Sequence, residues 1–564
     1  MLNKLYTSQG EALTGTPWEL YPRPQLRRES YINLNGIWTL SVEGQEEPLS
    51  IRVPFCPESL LSGVNRHFPE GSILSYRRNF RLPEGFNKGR VLLHIGAADQ
   101  IAEVYINKKF VGCHEGGYTA FTLDITDALE EENLLEICCT DDLRDLSMPY
   151  GKQTLRRGGM WYTPVSGIWQ SVWLESVPIR YIEDMRIENR GYSVHISIYP
   201  ALNGKVQVEG LGEYPLENGR AVIEPKNPQL WSPENPYLYS FKVVTEEDTV
   251  DSYFAIRFID TKVVDGIPRL CLNGKPYFFH GLLDQGYWPD GIYTPASPEC
   301  YVQDIIAMKR LGFNTLRKHI KVEAEEFYYQ CDRLGMIVFQ DMVNNSDYSF
   351  IRDTAIPTVR IQKLRDKHMH KDAKSRERFL QCMEQTVAQL RNHPCILYWT
   401  VFNEGWGQFD SDNVYQKLRT LDDTRIIDTT SGWFRRKCSD VESLHIYFGP
   451  WNQIRPAKKP LILSEFGGYA YAVEGHLFNP DNAYGYKTCA NREQFQSQML
   501  TLYQSKVLPA IKKGLCGAIC TQVSDVEDEI NGFLTYDRKV CKADEKAMTA
   551  LAAQLQAQLT EECK

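Results

Sequence analysis

The chain has 564 residues, a net charge of −9, 43% hydrophobic residues and 24% charged ones. That composition excludes fibrous, collagen-like and disordered classes, and at roughly 150 residues per domain it predicts two to four domains. Charges of both signs are interspersed, so no basic stripe is available to a nucleic acid and no polybasic segment to a membrane surface.

The fifteen cysteines include the adjacent pair Cys138 and Cys139 and form no Cys-x-x-Cys, so they read as reduced thiols. The first residues contain no apolar run long enough for a signal peptide, and no stretch of about 18 apolar residues follows. A cytoplasmic address is the expectation.

The first third holds short strand-like runs with apolar and polar residues in alternation, such as Gly36-Ile-Trp-Thr-Leu-Ser41, Leu92-Leu-His-Ile95 and Ala102-Glu-Val-Tyr-Ile106. Asn107-Lys-Lys-Phe110 sits between two of them as a hairpin turn would. Residues 1–178 therefore read as an all-β sandwich. Over 179–264 the alternation continues at Val194, Ile196 and Ile198 and at Val206 and Val208, with prolines at 225, 228, 233 and 236, which predicts a second and smaller sandwich.

From 265 to 564 the texture changes. Residues 301–312 have helical spacing and end in Gly312, and the apolar run 314–320 follows at once. The same succession recurs in 328–335 and 336–341. Further apolar runs lie at 396–402, 426–430, 444–447, 461–463 and 518–523, which with Phe278-Phe-His280 makes eight strand candidates. That is the length and rhythm of a (β/α)8 TIM barrel. No Gly-x-Gly-x-x-Gly follows any of the runs to favour a doubly wound sheet.

In such a barrel the chemistry sits where strands end, and two apolar runs end in carboxylates: one in Asn403-Glu404-Gly405-Trp406, the other in Ser464-Glu465-Phe466. A lone strand-end Glu would more often cap a helix or pair with an arginine. Paired carboxylates are the equipment of glycoside hydrolysis.

Here the sequence resembles glycoside hydrolase family 2, the β-galactosidases, β-glucuronidases and β-mannosidases. Residues 31–38 and 167–173 resemble the two ends of the family's jelly-roll sugar-binding domain, 230–239 its immunoglobulin-like β-sandwich, and 272–276 the entry to its catalytic barrel. The resemblance implies Glu404 as general acid and base, Glu465 as nucleophile and Asn403 as partner of the sugar 2-hydroxyl. It also implies Arg317 as the group that keeps the nucleophile ionised, Tyr447 as its hydrogen-bond donor, and His445 as facing substrate hydroxyls. His319 and Asp341 end the second and third strand candidates and are further substrate-side candidates. Trp399, Trp406 and Trp433 could supply an apolar platform for a sugar face. The resemblance also implies a loop of the N-terminal domain leaning over the barrel mouth, for which the segments around Asp99 and residues 157–164 are candidates, and with it exo action.

The expected reaction is hydrolysis of terminal β-linked sugars by double displacement, with β-galactosides first among substrates. Alternatives are β-glucuronides or other β-glycosides of the same family, transglycosylation, and a non-catalytic carbohydrate-binding protein. The larger β-galactosidases place a histidine four residues after the equivalent of Arg317, where His319 is two after it, and end the last strand in a tryptophan that 519–525 lacks. β-Glucuronidases carry an Asn-x-Lys after the nucleophile, and none follows Glu465; Arg538 or Lys539 could stand in for it. No cofactor and no metal are expected, since His368 and His370 lie in a polar stretch without further ligands. A glycoside or oligosaccharide is the expected partner, and symmetry base rates favour a homodimer.

Overall fold

The computed structural model describes residues 2–355, 366–448 and 451–563. Period-two alternation builds its N-terminal sandwich: strand Gly36–Val42 buries Trp38, Leu40 and Val42 and turns Ile37 and Thr39 outward. Strand Asn133–Thr140 does the same with Leu135, Ile137 and Cys139. A six-stranded and a four-stranded antiparallel sheet share one core that includes Leu40, Val104, Leu93 and Leu174. Asn107 and Lys108, both at positive φ, make the tight turn between strands Ile101–Ile106 and Lys109–Glu115.

The second sandwich packs a three-stranded sheet on a four-stranded one around Val194, Ile196, Val206, Phe241 and Val243. Trp231 leaves this unit for the barrel, where it is fully buried and its indole N–H donates to the Asp332 carbonyl at 2.8 Å.

All eight runs expected to form the barrel do so. In chain order its strands are Phe279–Asp284, Thr315–Lys318, Ile337–Asp341, Ile396–Asn403, Ile426–Ser431, Glu442–Ile446, Leu461–Gly467 and Leu515–Thr521. They form one parallel sheet in which the first strand pairs with the eighth, and the fifth and sixth lie side by side at its two ends. The barrel is therefore near-closed. Helices cover its outer face, so the strands are buried on both faces and read as continuous apolar runs; every residue of Leu515–Thr521 is buried.

The first residues form no strand. A short helix, Ser8–Ala12, leans on the barrel, with Thr7 Oγ1 donating to Asp290 at 2.6 Å and Trp18 Nε1 to the Pro295 carbonyl at 2.9 Å. All fifteen cysteines are free. Among the described residues, no helix is long and apolar enough to cross a membrane.

Trp231→Ala removes the largest side chain joining the second sandwich to the barrel core. The expected cost is about 3–5 kcal/mol, seen as a lower urea midpoint by circular dichroism. An unchanged midpoint would show that the contact carries no stability.

Candidate active site

The fourth strand leaves the barrel through two left-handed residues, Glu404 at φ 52° and Gly405 at φ 82°. A Cβ at 405 would lie 2.5 Å from the Phe434 ring, so only glycine fits this turn. Glu404 has no such freedom and is held there by its own N–H, which donates to the Ser431 carbonyl at 2.9 Å. A non-glycine residue in this region costs about 1 kcal/mol or more and persists where the surroundings over-determine it. The turn swings the Glu404 carboxylate towards the ends of the sixth and seventh strands.

Arg317, at the end of the second strand, is 1% exposed. Its Nε donates to Asp341 Oδ1 at 3.0 Å, Nη1 to Glu465 Oε1 and the Ser464 carbonyl at 3.1 Å each, and Nη2 to Asn403 Oδ1 at 2.8 Å. Burial alone would weaken the guanidinium's hold on its proton, but Asp341 and Glu465 reverse that and raise its pKa. Asp341 also accepts from His319 Nδ1 at 2.7 Å, and so braces two cationic-capable groups at once.

Burial raises the Glu465 pKa, and the opposing pull of His445, then Arg317 and His319, with the Tyr447 hydrogen bond, takes it down to about 2. Tyr447 Oη donates to Glu465 Oε2 at 2.7 Å and meets Thr521 Oγ1 at 2.8 Å, while its ring stacks on Tyr486 at 3.9 Å. Glu465 is thus fixed at both oxygens and ionised.

His445 lies between the two carboxylates. Its Nδ1 is 2.7 Å from Glu404 Oε1 and 3.5 Å from Glu465 Oε2. On the other side Nε2 faces Ser431 Oγ at 3.1 Å and Arg317 Nη1 at 3.4 Å. Since arginine can only donate, Nε2 is the acceptor, and the proton of a neutral ring sits on Nδ1. The sequence placed His445 against substrate hydroxyls; the structure spends its Nδ1 on bridging Glu404 and Glu465. One donor atom each from Glu404, His445 and Glu465 lies within 4.8 Å of the others, close enough to hold a cation. Arg317 already supplies positive charge to that spot, so a dication there would face a guanidinium.

The other expected residues divide. His319 is a neutral ring, its pKa pushed down to about 4 by burial and by Lys152. Asp341 takes its Nδ1–H, so Nε2 is the nitrogen left for a ligand. Trp406, buried, stacks on Trp161 at 5.2 Å, and Trp433 lies 5.7 Å from His445. Trp399 is not brought into the site. Its N–H donates to Asp422 at 2.8 Å and its ring lies under Arg425, beside the start of the fifth strand and away from the mouth.

His368 is exposed and His370 faces Asp347 at 3.4 Å, so the two do not converge as ligands. Arg538 lies over Trp288 and bonds Asp304 at 3.3 Å, and Lys539 pairs with Glu11 at 2.5 Å. Neither reaches the site. Asp99 stays inside the sandwich, accepting from Gln153 at 2.8 Å.

Residues 157–164 do dock on the barrel. Arg157 bonds Asp528 at 2.8 Å, the Thr163 N–H donates to Glu527 at 2.9 Å, and Tyr162 Oη donates to Glu529. Lys152 and Glu529 were not singled out in the sequence. Glu529 lies in the acidic run after the last strand, a signal that could have found it; Lys152 comes from another domain and carries none.

The family model described as glycosyl hydrolases family 2, TIM barrel domain, matches residues 263–558. The model described as glycosyl hydrolases family 2 matches 181–257, and that of the glycosyl hydrolase 2 galactose-binding domain-like unit matches 70–150. A β-galactosidase of Thermoanaerobacter pseudethanolicus is 25% identical over 71% of this chain, which spans 54% of that protein. A β-glucuronidase of Chlorocebus aethiops is 24% identical over 90% of this chain and 88% of its own. The solved β-D-glucuronidase of Dictyoglomus thermophilum superposes with a TM-score of 0.74 at 21% identity, covering 96% of this chain and 98% of that one.

The low pKa of Glu465 contributes stability that is complete above the ordinary value of 4.5 and is lost as pH falls through about 2. Arg317→Met removes a cation from two buried carboxylates and raises their pKa values. The variant is expected to lose about 3–5 kcal/mol and to unfold at a higher pH in an acid titration followed by circular dichroism. Acid unfolding at the wild-type pH would refute the assignment of Arg317 as the group that holds Glu465 ionised.

Proposed function

The chain belongs to glycosyl hydrolases family 2, and on that premise we propose that it hydrolyses terminal β-linked glycosides with retention of configuration, β-glucuronides being the substrate class. The observation that carries the mechanism is the pair Glu404 and Glu465, with carboxylate oxygens within 4.8 Å of each other. Retaining enzymes hold their two carboxyl groups about 5–5.5 Å apart, and inverting ones leave about 6.5–9.5 Å for a water.

The surroundings divide the labour. Glu465, clamped by Arg317 and Tyr447 and held ionised, is the nucleophile that attacks the anomeric carbon. The role of proton donor to the departing oxygen falls to Glu404, which later takes the proton of the incoming water. The His445 Nδ1–H beside Glu404 offers a hydrogen bond that steadies the carboxylate form. Asn403 gives its Oδ1 to Arg317, so its amide N–H groups are left for the sugar 2-hydroxyl. The Trp161 and Trp406 pair and the docked 157–164 segment wall off one side of the mouth, which favours attack at chain ends.

The sequence put β-galactosides first among substrates. The β-glucuronidase name, carried by the relative matched over nearly its whole length, supports the alternative better. β-Galactosides remain as a second reading, favoured by the T. pseudethanolicus relative and by the lack of an Asn-x-Lys after Glu465.

Proton NMR of the first turnovers of an aryl β-glucuronide is expected to show the β-anomer before mutarotation; an α-anomer appearing first would sink the retaining reading. A 2-deoxy-2-fluoro glucuronyl fluoride should label Glu465. Glu465→Gln is expected to lose on the order of 10⁴–10⁶-fold in kcat, and Glu404→Gln about 10²–10⁴-fold, least on substrates with good leaving groups.

A further inference from the structure

Four lysines of the described residues are buried: Lys152, Lys318, Lys321 and Lys542. Three are paired. Lys318 bonds Asp284 at 2.7 Å and Glu323 at 3.0 Å, Lys321 bonds Glu323 at 2.9 Å and two carbonyls, and Lys542 bonds Asp525 at 2.6 Å. Lys152 is the exception. It is 6% exposed, and among the described residues its Nζ has no hydrogen-bond or ion-pair partner.

Its place is nonetheless fixed. Tyr150, two residues earlier, donates its N–H to the Asn344 carbonyl at 3.1 Å and its hydroxyl to the Ser346 carbonyl at 2.8 Å, both on the barrel. A Cβ at Gly151 would meet Tyr118 Oη at 2.7 Å and the Ile320 carbonyl at 3.0 Å, so the chain runs tight against the end of the second strand. The Lys152 carbonyl accepts from Tyr162 N at 3.0 Å, and Gln153 donates to Asp99 at 2.8 Å and accepts from Val165 N at 2.7 Å. The clamp leaves Nζ 5.3 Å from the Trp406 ring centroid and 5.8 Å from that of Tyr162.

The ammonium is in the site's electrostatic field. Burial lowers its pKa, against the attraction of Glu529, then Glu465 and Glu404. None of these carboxylates comes within ion-pair distance, and their donors are already chosen: Glu465 takes Arg317 and Tyr447, Glu404 takes His445, and Glu529 takes Tyr162 Oη and Asn531 at 2.9 Å. The side chain is buried but its Nζ is not sealed off, so the ammonium opens onto the site without a protein hydrogen bond, as a group does that a ligand completes. The indole N–H of Trp406, against which it lies, is buried without a partner.

We propose that Lys152, reaching in from the N-terminal sandwich, binds the carboxylate of a uronic acid glycone and is the residue that selects uronides over neutral sugars. This rests on the uronide reading above. The arginines near the mouth are committed: Arg317 to Asp341 and Glu465, and Arg157 to Asp528. Lys152 therefore fills the role that an Asn-x-Lys after Glu465 would have had, from a different domain and from the opposite direction along the chain.

The test compares Lys152→Met and Lys152→Gln with wild type on p-nitrophenyl β-glucuronide, β-galacturonide, β-glucoside and β-galactoside. The expected result is a fall in kcat/KM on the preferred uronide of about a hundredfold or more, at least thirtyfold greater than the fall on the matching neutral glycoside. The thermal midpoint should stay level or rise, because the ammonium removed has no partner within the protein; a structural lysine would lower it. A wild type that cleaves uronides while its variants keep the wild-type uronide-to-neutral ratio overturns this proposal alone. A wild type that cleaves only neutral glycosides overturns the uronide reading and this proposal with it.

Discussion

A single buried guanidinium sets the geometry of the barrel mouth. Arg317 rises from the second strand and is tied to the third through Asp341, the fourth through Asn403 and the seventh through Ser464 and Glu465, with the sixth strand's His445 alongside. A charge this deep is tolerated only when its hydrogen bonds are met, so these partners cannot drift independently. The interaction that makes a polar layer possible inside the barrel also fixes where Glu465 stands. It breaks the symmetry of the two carboxylates as well: Glu465 faces a permanent cation and a tyrosine hydroxyl, Glu404 a histidine N–H. Two acids at the ends of the fourth and seventh strands become chemically unlike through their neighbours alone.

The site belongs to two domains. The barrel provides the carboxylates and the groups that orient them, and the sandwich loop over 147–166 provides Lys152, Trp161 and Tyr162. That loop is held by hydrogen bonds from both sides, to Asp99 and Tyr118 within the sandwich and to Asn344, Ser346, Glu527 and Asp528 on the barrel. Domain docking and site assembly are therefore one event. The short helix Ser8–Ala12 and Trp231 add further ties between the barrel and the rest of the chain.

How much of this was legible follows from where each residue lies. The barrel was readable because strands covered on both faces become apolar runs with sharp polar ends, where Glu404, Glu465, His319 and Asp341 stood out, while Arg317, Asn403, His445 and Tyr447 were assigned from the family resemblance. Trp399 misled because it sits inside a run, where facing depends on register. The register between the third and fourth strands shifts by one residue at Leu397, two residues before Trp399. His445 was found, but its bond to Glu404 depends on the left-handed turn at 404, which a sequence does not display. Lys152 was invisible for a stronger reason: it lies in an irregular loop without periodicity, and more than 160 residues separate it from Arg317, the nearest in sequence of the groups it serves.

The same division explains how a chain about 20–25% identical to its relatives keeps their architecture while the sugar must be argued separately. The reacting groups are locked by buried charge: exchanging Arg317, Asp341 or Glu465 alone would strand a partner's charge in the interior, at a cost of about 3–5 kcal/mol. Residues that meet the glycone's outer hydroxyls or carboxylate are under no such lock. The proposed carboxylate partner, Lys152, stands on a connecting segment outside the strand ladder, in the 147–166 loop. Such a site holds its chemistry fixed and varies its substrate at the rim, and a cation can migrate from one loop to another, even across a domain boundary, provided the carboxylate it answers to finds it at the same place in space.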